Sequence, residues 1–265
     1  MTKEGERAPL RLKGRTWEES KSWAKVCPSN PGVARQVVAD WLPYRNRRQY
    51  LDAGVNDGTQ GFCRCPKCMA LDVKLSGEKF GDHLTDRYMV LANRVAAEGR
   101  EHRQDAMVGV YAYMALIQPP RKVKLEPNIV VHVVPYVMPM DLQATEALFR
   151  GWQEAGAKHF ALRPNYHHKY HRNPLPMGFE EQMFDIFQLA RSFGILSANY
   201  DSLMHHWPVS GIADYILAKA MSDPSKPFEY WEDHYCSAYG AAAEDVKTYF
   251  RYWRQEVWEK RLLPN

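Results

Sequence analysis

No apolar run in the chain reaches the ~18–20 residues needed to span a bilayer. The opening residues, MTKEGERAPLRLKGRTWEESKSW, are charged and lack the apolar core of a signal peptide. As written, the chain reads as soluble and not self-exporting. Carried within a longer exported protein, it would be extracytoplasmic. It has no internal repeat and no low-complexity tract, which leaves packed globular structure as the default reading. It also lacks strong charge of either sign. The formal net charge is +4, and Lys and Arg are scattered through predicted helices rather than gathered on one face. That argues against nucleic acid as a partner. Cysteine is sparse, with 5 in 265 residues, and these can form disulfides, bind a metal or include free thiols.

What is present suffices for one sizeable core, since 45% of the residues are hydrophobic. Aromatics make up 12%, with 8 Trp and 15 Tyr. Such a content fits a sugar-binding protein and equally a well-packed helical surface.

The chain is organised around QYLDAGVNDGTQGFCRCPKCMAL, residues 49–71. Tyr50, Ala53 and Val55 suit a buried strand, and Asn56-Asp57-Gly58 stops it with turn residues. Upstream, residues 1–26 read as an irregular lead-in. Asn30 as cap and Pro31 at the first helical position start a helix carrying Val33, Val37, Val38, Trp41 and Leu42. A helix over 83–103, capped by Thr85 or Asp82, turns Tyr88, Leu91, Ala92 and Val95 inward. Strands follow at 107–114 and at 128–137, the second almost wholly apolar, as for a strand covered on both faces. A helix over 141–156, a strand over 158–162, a helix over 180–193 ended by Gly194 and a strand over 195–200 complete the alternation. After Gly211 only helices are predicted, at 212–222, 227–239 and 242–260. The order argues for parallel strands with crossover helices. About five strands are predicted where a closed (β/α) barrel has eight. The expected architecture is therefore a partial TIM-like (β/α) barrel over 27–210 with a helical segment over 211–265.

Several segments together resemble one family. They are CPSNP at 27–31, GVNDGTQGFCRCPKCMALD at 54–72, TDRYMVLANRVA at 85–96, VYAYMALIQPP at 110–120, PNIVVHVVPY at 127–136, GIADYILAKAMSDPS at 211–225 and HYCSAYGAAAEDVKTYF at 234–250. They are similar to the glycoside-hydrolase-like barrels of domain-of-unknown-function family 4838. The resemblance implies a bacterial protein, the C-terminal portion of a (β/α)8 barrel with a helical cap, and a carbohydrate as its partner. It also implies that an N-terminal half-barrel is missing from the chain, or that its place is taken by self-association through an exposed sheet edge.

Glycoside cleavage needs one carboxylic acid at the leaving oxygen and commonly a second carboxylate across the sugar. Asp57, just past the opening strand, is the expected acid, and Asp201, after the last strand, the expected partner. Asp57 read blandly is a turn cap. As general acid it would need partial burial beside tyrosine rings. Candidate sugar contacts are Asn56, Tyr111, Tyr113, Tyr136, Arg163, Asn165, Tyr166, His167 and Trp207, all near predicted strand ends. Tyr111 and Tyr113 share one face of a strand, and a tyrosine offers an apolar ring with a polar tip. Arg163 could clamp a uronate or sulfate group. His132, inside an apolar run, reads as a core histidine. Chemistry on the sugar needs no cofactor. Cys27, Cys63, Cys65 and Cys68 can form a closed zinc site or pair as disulfides, in either case holding the loop after Asp57. Cys236 reads as a small buried hydrophobe. Two other functions compete. One is a non-catalytic glycan-binding barrel. The other is a zinc-containing nucleic-acid binder, which would require a contiguous basic face.

Overall fold

The structure, a computed structural model, describes Thr16, Ser20 and residues 23–135, 142–165, 175–200 and 207–262; for 207–210 and 262 only the backbone is described. Its centre is a five-stranded parallel sheet in the order β1-β2-β3-β4-β5. Strands laid down in sequence order, each reached through a crossover, give the winding of part of a (β/α) barrel. The chain divides into two compact units: Met1–Val133 with Arg150–Phe160, and Val134–Phe149 with Ala161–Asn265.

In the first unit, α1 (Pro31–Trp41) begins as its sequence dictates, with Asn30 Oδ1 accepting from Gly32 N at 2.9 Å and proline in the first turn. Ala34, Val38 and Trp41, spaced at i, i+4 and i+7, form its buried stripe. β1 (Tyr50–Asp52) is shorter than the predicted run to Val55. Asp52 ends it by accepting from Gly54 N at 2.7 Å, a side-chain turn that competes with the ladder. A Cβ on Gly54 would lie 2.8 Å from Asp52 Oδ1 and 3.0 Å from Tyr111 Cδ2, so glycine is required there.

The short helix α2 (Pro66–Met69) lies in the cysteine loop. α3 (Thr85–His102) buries Tyr88, Leu91, Ala92 and Val95 as expected. Its start differs from the prediction. Leu84 is the N-cap and makes no side-chain bond. Thr85 instead donates to the Gln118 carbonyl at 2.8 Å, and Asp82 accepts from Lys79 N at 2.7 Å. Both predicted caps are taken by other partners.

β2 (Met107–Ala112) pairs with β1 on one side and with β3 (Ile129–Val133) on the other. Val108, Val110, Ile129, Val131 and Val133 are buried to 1% exposure or less, the core expected of a sheet covered on both faces. The register sets Tyr111 beside His132. From the helix α4 (Leu142–Glu154), Trp152 is fully buried in this unit and donates its indole N–H to the Ile117 carbonyl at 3.0 Å.

β4 (His159–Leu162) pairs with β5 (Ser197–Ala198), which is two residues long rather than the predicted six. Between them α5 (Glu180–Ser192) buries Met183, Phe184, Ile186, Phe187 and Ala190, and Gly194 at φ +70° follows its end. Phe193 stacks on Phe149 at 5.0 Å. α6 (Trp207–Ser222) starts five residues before the predicted 212, taking Gly211 into the helix. α7 (Phe228–Ser237) and α8 (Ala243–Tyr252) follow, and the chain continues as a π-helix over Trp253–Leu262, where one unbroken helix was expected. No helix among the described residues is long and apolar enough to cross a membrane.

Candidate functional site

The best-defined constellation is built by the cysteines. Cys65 caps α2, its Sγ accepting from Cys68 N at 3.4 Å, because Pro66 fixes the first turn and brings the two thiols together. Cys27, from the segment before α1, lies 3.4 Å from Cys68 and 3.9 Å from Cys65, sulfur to sulfur. With Cys63 included, all four Sγ atoms fall within 4.8 Å of one another. All five cysteines of the chain are free thiols, so the disulfide alternative is not what this structure contains. A tetrahedral Zn–S distance of about 2.3 Å gives sulfur–sulfur edges of about 3.8 Å. The cluster is therefore compatible with a structural metal site formed by all four cysteines. Ser29 Oγ lies 3.4, 3.6 and 3.1 Å from the sulfurs of Cys27, Cys65 and Cys68.

The thiols differ electrostatically. Burial pushes Cys65 up, but the Cys68 N–H, the Ser29 hydroxyl and the neighbouring thiols outweigh it and bring it down to about 6. Burial pushes Cys68 up to about 12 and raises Cys63 as well. The loop is braced from behind by Arg87, which is fully buried. Its guanidinium forks onto Asp72 at 2.6 and 2.5 Å and donates to the Cys63 carbonyl at 2.6 Å.

The expected catalytic acid sits just before this loop. Asp57 is exposed, and its Oδ1 accepts from Gly58 N at 2.7 Å. The burial expected beside tyrosine rings is not found: the chain is buried or half-buried from Ala53 to Val55 and becomes exposed at Asn56 and Asp57. Asn56 is exposed too, with Nδ2 3.5 Å from the Ala24 carbonyl. Tyr111 and Tyr113 are half-buried, and Ala112 between them is fully buried, so both tyrosines lie on one face as expected. The Tyr111 ring meets His132 at 4.9 Å and packs on Gly54. His132, read as a core histidine, is half-buried with the Tyr111 ring against it.

In the second unit, Arg163 Nη1 donates to Asn165 Oδ1 at 3.0 Å just beyond β4, and Asn165 is buried. Trp207 is the first residue of α6. Asp201, Tyr136, Tyr166 and His167 lie outside the described residues.

Sequence reasoning missed two residues of the lead-in. Lys25 is 2% exposed. It donates Nζ to the Asp57 carbonyl at 2.6 Å and its backbone N–H to Gly61 O at 3.1 Å, with the ammonium 5.2 Å from the Phe62 ring centroid. Burial lowers its pKa, and Asp57 works in the opposite direction. Trp23 packs on Gly58, where a Cβ would lie 2.5 Å from its ring. The only signal for either was a Trp and a Lys just upstream of Cys27.

A consecutive parallel α/β sheet followed by helices, with a four-cysteine cluster in the loop after its first strand, defines an α/β protein of the partial-barrel class. The chain belongs to the family described as domain of unknown function (DUF4838), which matches residues 5–251. A search of curated proteins and a search of solved structures each found no match.

Proposed function

We propose that the protein is carbohydrate-active, a glycoside hydrolase whose acid is Asp57 and whose cysteine cluster holds a structural zinc ion. The observation that carries the reading is the surface where β1 and β2 end. An exposed carboxylate and Asn56 follow β1, and the half-buried rings of Tyr111 and Tyr113 share one face of β2 and its exit. Parallel strands gather such groups at their carboxyl ends, where barrel enzymes keep their chemistry. Aromatic faces with polar tips suit the C–H faces and hydroxyls of a sugar. For the second carboxylate the sequence offers Asp201, after β5. Soft thiolates at tetrahedral spacing favour zinc over a hard cation.

Asp57→Asn should abolish hydrolysis of a responsive aryl glycoside or oligosaccharide by the full-length protein while its circular dichroism and melting temperature stay unchanged. Retained activity would remove Asp57 from the acid role. An experimental structure showing the two carboxylates ~5–5.5 Å apart would assign retention, and ~6.5–9.5 Å inversion.

A non-catalytic glycan-binding role is the second reading. It is favoured by one observation: the Asp57 side chain is exposed and holds its own turn. A glycosidase acid sits in a drier setting. Glycan binding without turnover, unaltered in Asp57→Asn, would select it.

A further inference from the structure

We propose that the metal held by Cys27, Cys63, Cys65 and Cys68 is a clamp. It fastens the segment Trp23–Asn30 across the loop Asn56–Gly61 and so makes Trp23 part of the glycan-binding surface. The clamp rests on the metal assignment proposed above, and the glycan half of this inference rests on the carbohydrate reading as well.

The argument begins with how the ligands are distributed. Three cysteines come from one short loop, residues 63–68, and already lie close through local geometry. Cys27 is the only ligand from elsewhere in the chain, separated by 38 and 41 residues from Cys65 and Cys68. A metal bond to Cys27 therefore closes a long loop, where a cross-link constrains the open chain most. The segment it anchors touches the loop after β1 at four points. The Lys25 N–H bonds Gly61 O at 3.1 Å, Lys25 Nζ bonds Asp57 O at 2.6 Å, Asn56 Nδ2 reaches Ala24 O at 3.5 Å, and Trp23 covers Gly58.

These contacts fall on an exposed, irregular part of the loop. Two end on exposed residues, Asn56 and Asp57, and Gly58 stands at φ +89° in a turn without a regular ladder. A segment that touches so irregular a turn persists there only with restraint from elsewhere. The cysteine cluster lies two residues after Lys25 and two after Gly61, so it can supply that restraint to both strands of the contact. Metal binding in such sites is coupled directly to folding. Ser29, in contact with three of the four sulfurs, ties the same segment to the cluster from its other end. The indole of Trp23, half-buried against Gly58, then provides a stacking face for a sugar ring.

Hydrogen exchange read by mass spectrometry on the full chain tests the clamp without any glycan. Zinc-loaded protein should carry one zinc ion per chain. Removing the metal with a chelator should speed exchange at least tenfold in peptides covering 23–30 and 54–62, leave β2 and β3 protected, and be reversed by added zinc. Cys27→Ser should reproduce the chelated pattern, and Cys236→Ser should not. If Cys27→Ser does not fold, the chelated and reloaded wild type still decides. Equal protection in loaded and metal-free protein would overturn the clamp, as would failure to bind zinc after reconstitution. For the glycan half, the probes are xylo-oligosaccharides and oligogalacturonates measured by calorimetry. At least tenfold weaker binding after metal removal, and in Trp23→Ala with the metal retained, supports it. Binding unchanged in Trp23→Ala overturns the glycan half while leaving the exchange result standing. Absence of binding by every form counts against the carbohydrate reading itself and overturns the glycan half with it.

Discussion

Asp86 shows how one side chain can hold a fold together. It is 1% exposed and accepts from the backbone N–H groups of Arg121, Lys122 and Val123 at 3.0, 2.8 and 3.0 Å, with His83 Nε2 at 3.3 Å. Burial pushes its carboxyl up, but His83 and the three N–H groups outweigh that and hold it at about 2. The charged carboxylate thereby pins the chain just after Pro119-Pro120 onto the start of α3. Asp86→Ala would leave three inward N–H groups without their acceptor, and a loss of about 3 kcal/mol is expected in urea unfolding at pH 7. The sign with pH follows from the depressed folded value. The stabilisation is present above the ordinary carboxylate range and is lost as pH falls toward 2. Wild type should therefore show a steep acid limb that is shallower in Asp86→Ala. A loss below about 1 kcal/mol, an order-of-magnitude threshold, would show that solvent replaces the carboxylate.

Among the elements, the C-terminal π-helical segment is held by an unequal charge cluster. Arg254 Nη1 reaches Glu232 at 2.8 Å and Glu180 at 3.3 Å, and its Nε reaches Glu181 at 2.8 Å. Lys247 and Arg251 face Glu232 from 4.0 and 3.9 Å, and Asp185, Glu229 and Glu259 add negative charge around Glu181. Glu180 is almost fully buried, and burial raises it to about 7 despite Arg254. A carboxyl whose folded pKa is raised binds its proton more tightly folded than unfolded. Its contribution is therefore greatest at and below about pH 4.5 and declines as pH rises to 7. The decline should be on the order of 2–3 kcal/mol for a shift of this size. Glu180→Gln should remove most of that slope between pH 5 and 8, and parallel slopes in the two proteins would contradict the assignment. Gly178 stands beside this segment at φ +77°, where a Cβ would overlap the Trp253 carbonyl. The segment and the chain entering α5 therefore approach backbone to backbone.

At the scale of the whole molecule, the strand order leaves β1 and β5 with a partner on one side only among the described residues. Tyr50, at the start of β1, is 50% exposed. An open parallel edge invites pairing with a second chain. Concentration-dependent association should appear in sedimentation velocity and weaken when a charge is placed on the edge, as in Tyr50→Lys. A monodisperse monomer at all concentrations would contradict it. The parallel winding itself could be read without coordinates. Apolar stripes at helical spacing in α1 and α3 and the apolar run of β3 are local patterns, and a local pattern is set by which residues must leave water. The clustering of Cys63, Cys65 and Cys68 was legible for the same reason, since a proline turn brings near neighbours together. Strand lengths were not legible: Asp52 turns on Gly54 and stops β1 early, a competition between side chain and ladder that propensity does not decide. The fourth cysteine of the cluster, Cys27, could be suspected from composition, but its arrival 3.4 Å from Cys68 depends on packing. The lead-in was read as irregular because its polar residues show no period. Its Lys25 is nonetheless 2% exposed, and its Trp23 covers Gly58. Local chemistry determines which elements form. Contacts between residues far apart in the chain determine which polar groups they bury, because burying an ammonium or a carboxylate depends on partners that only the folded chain brings into reach.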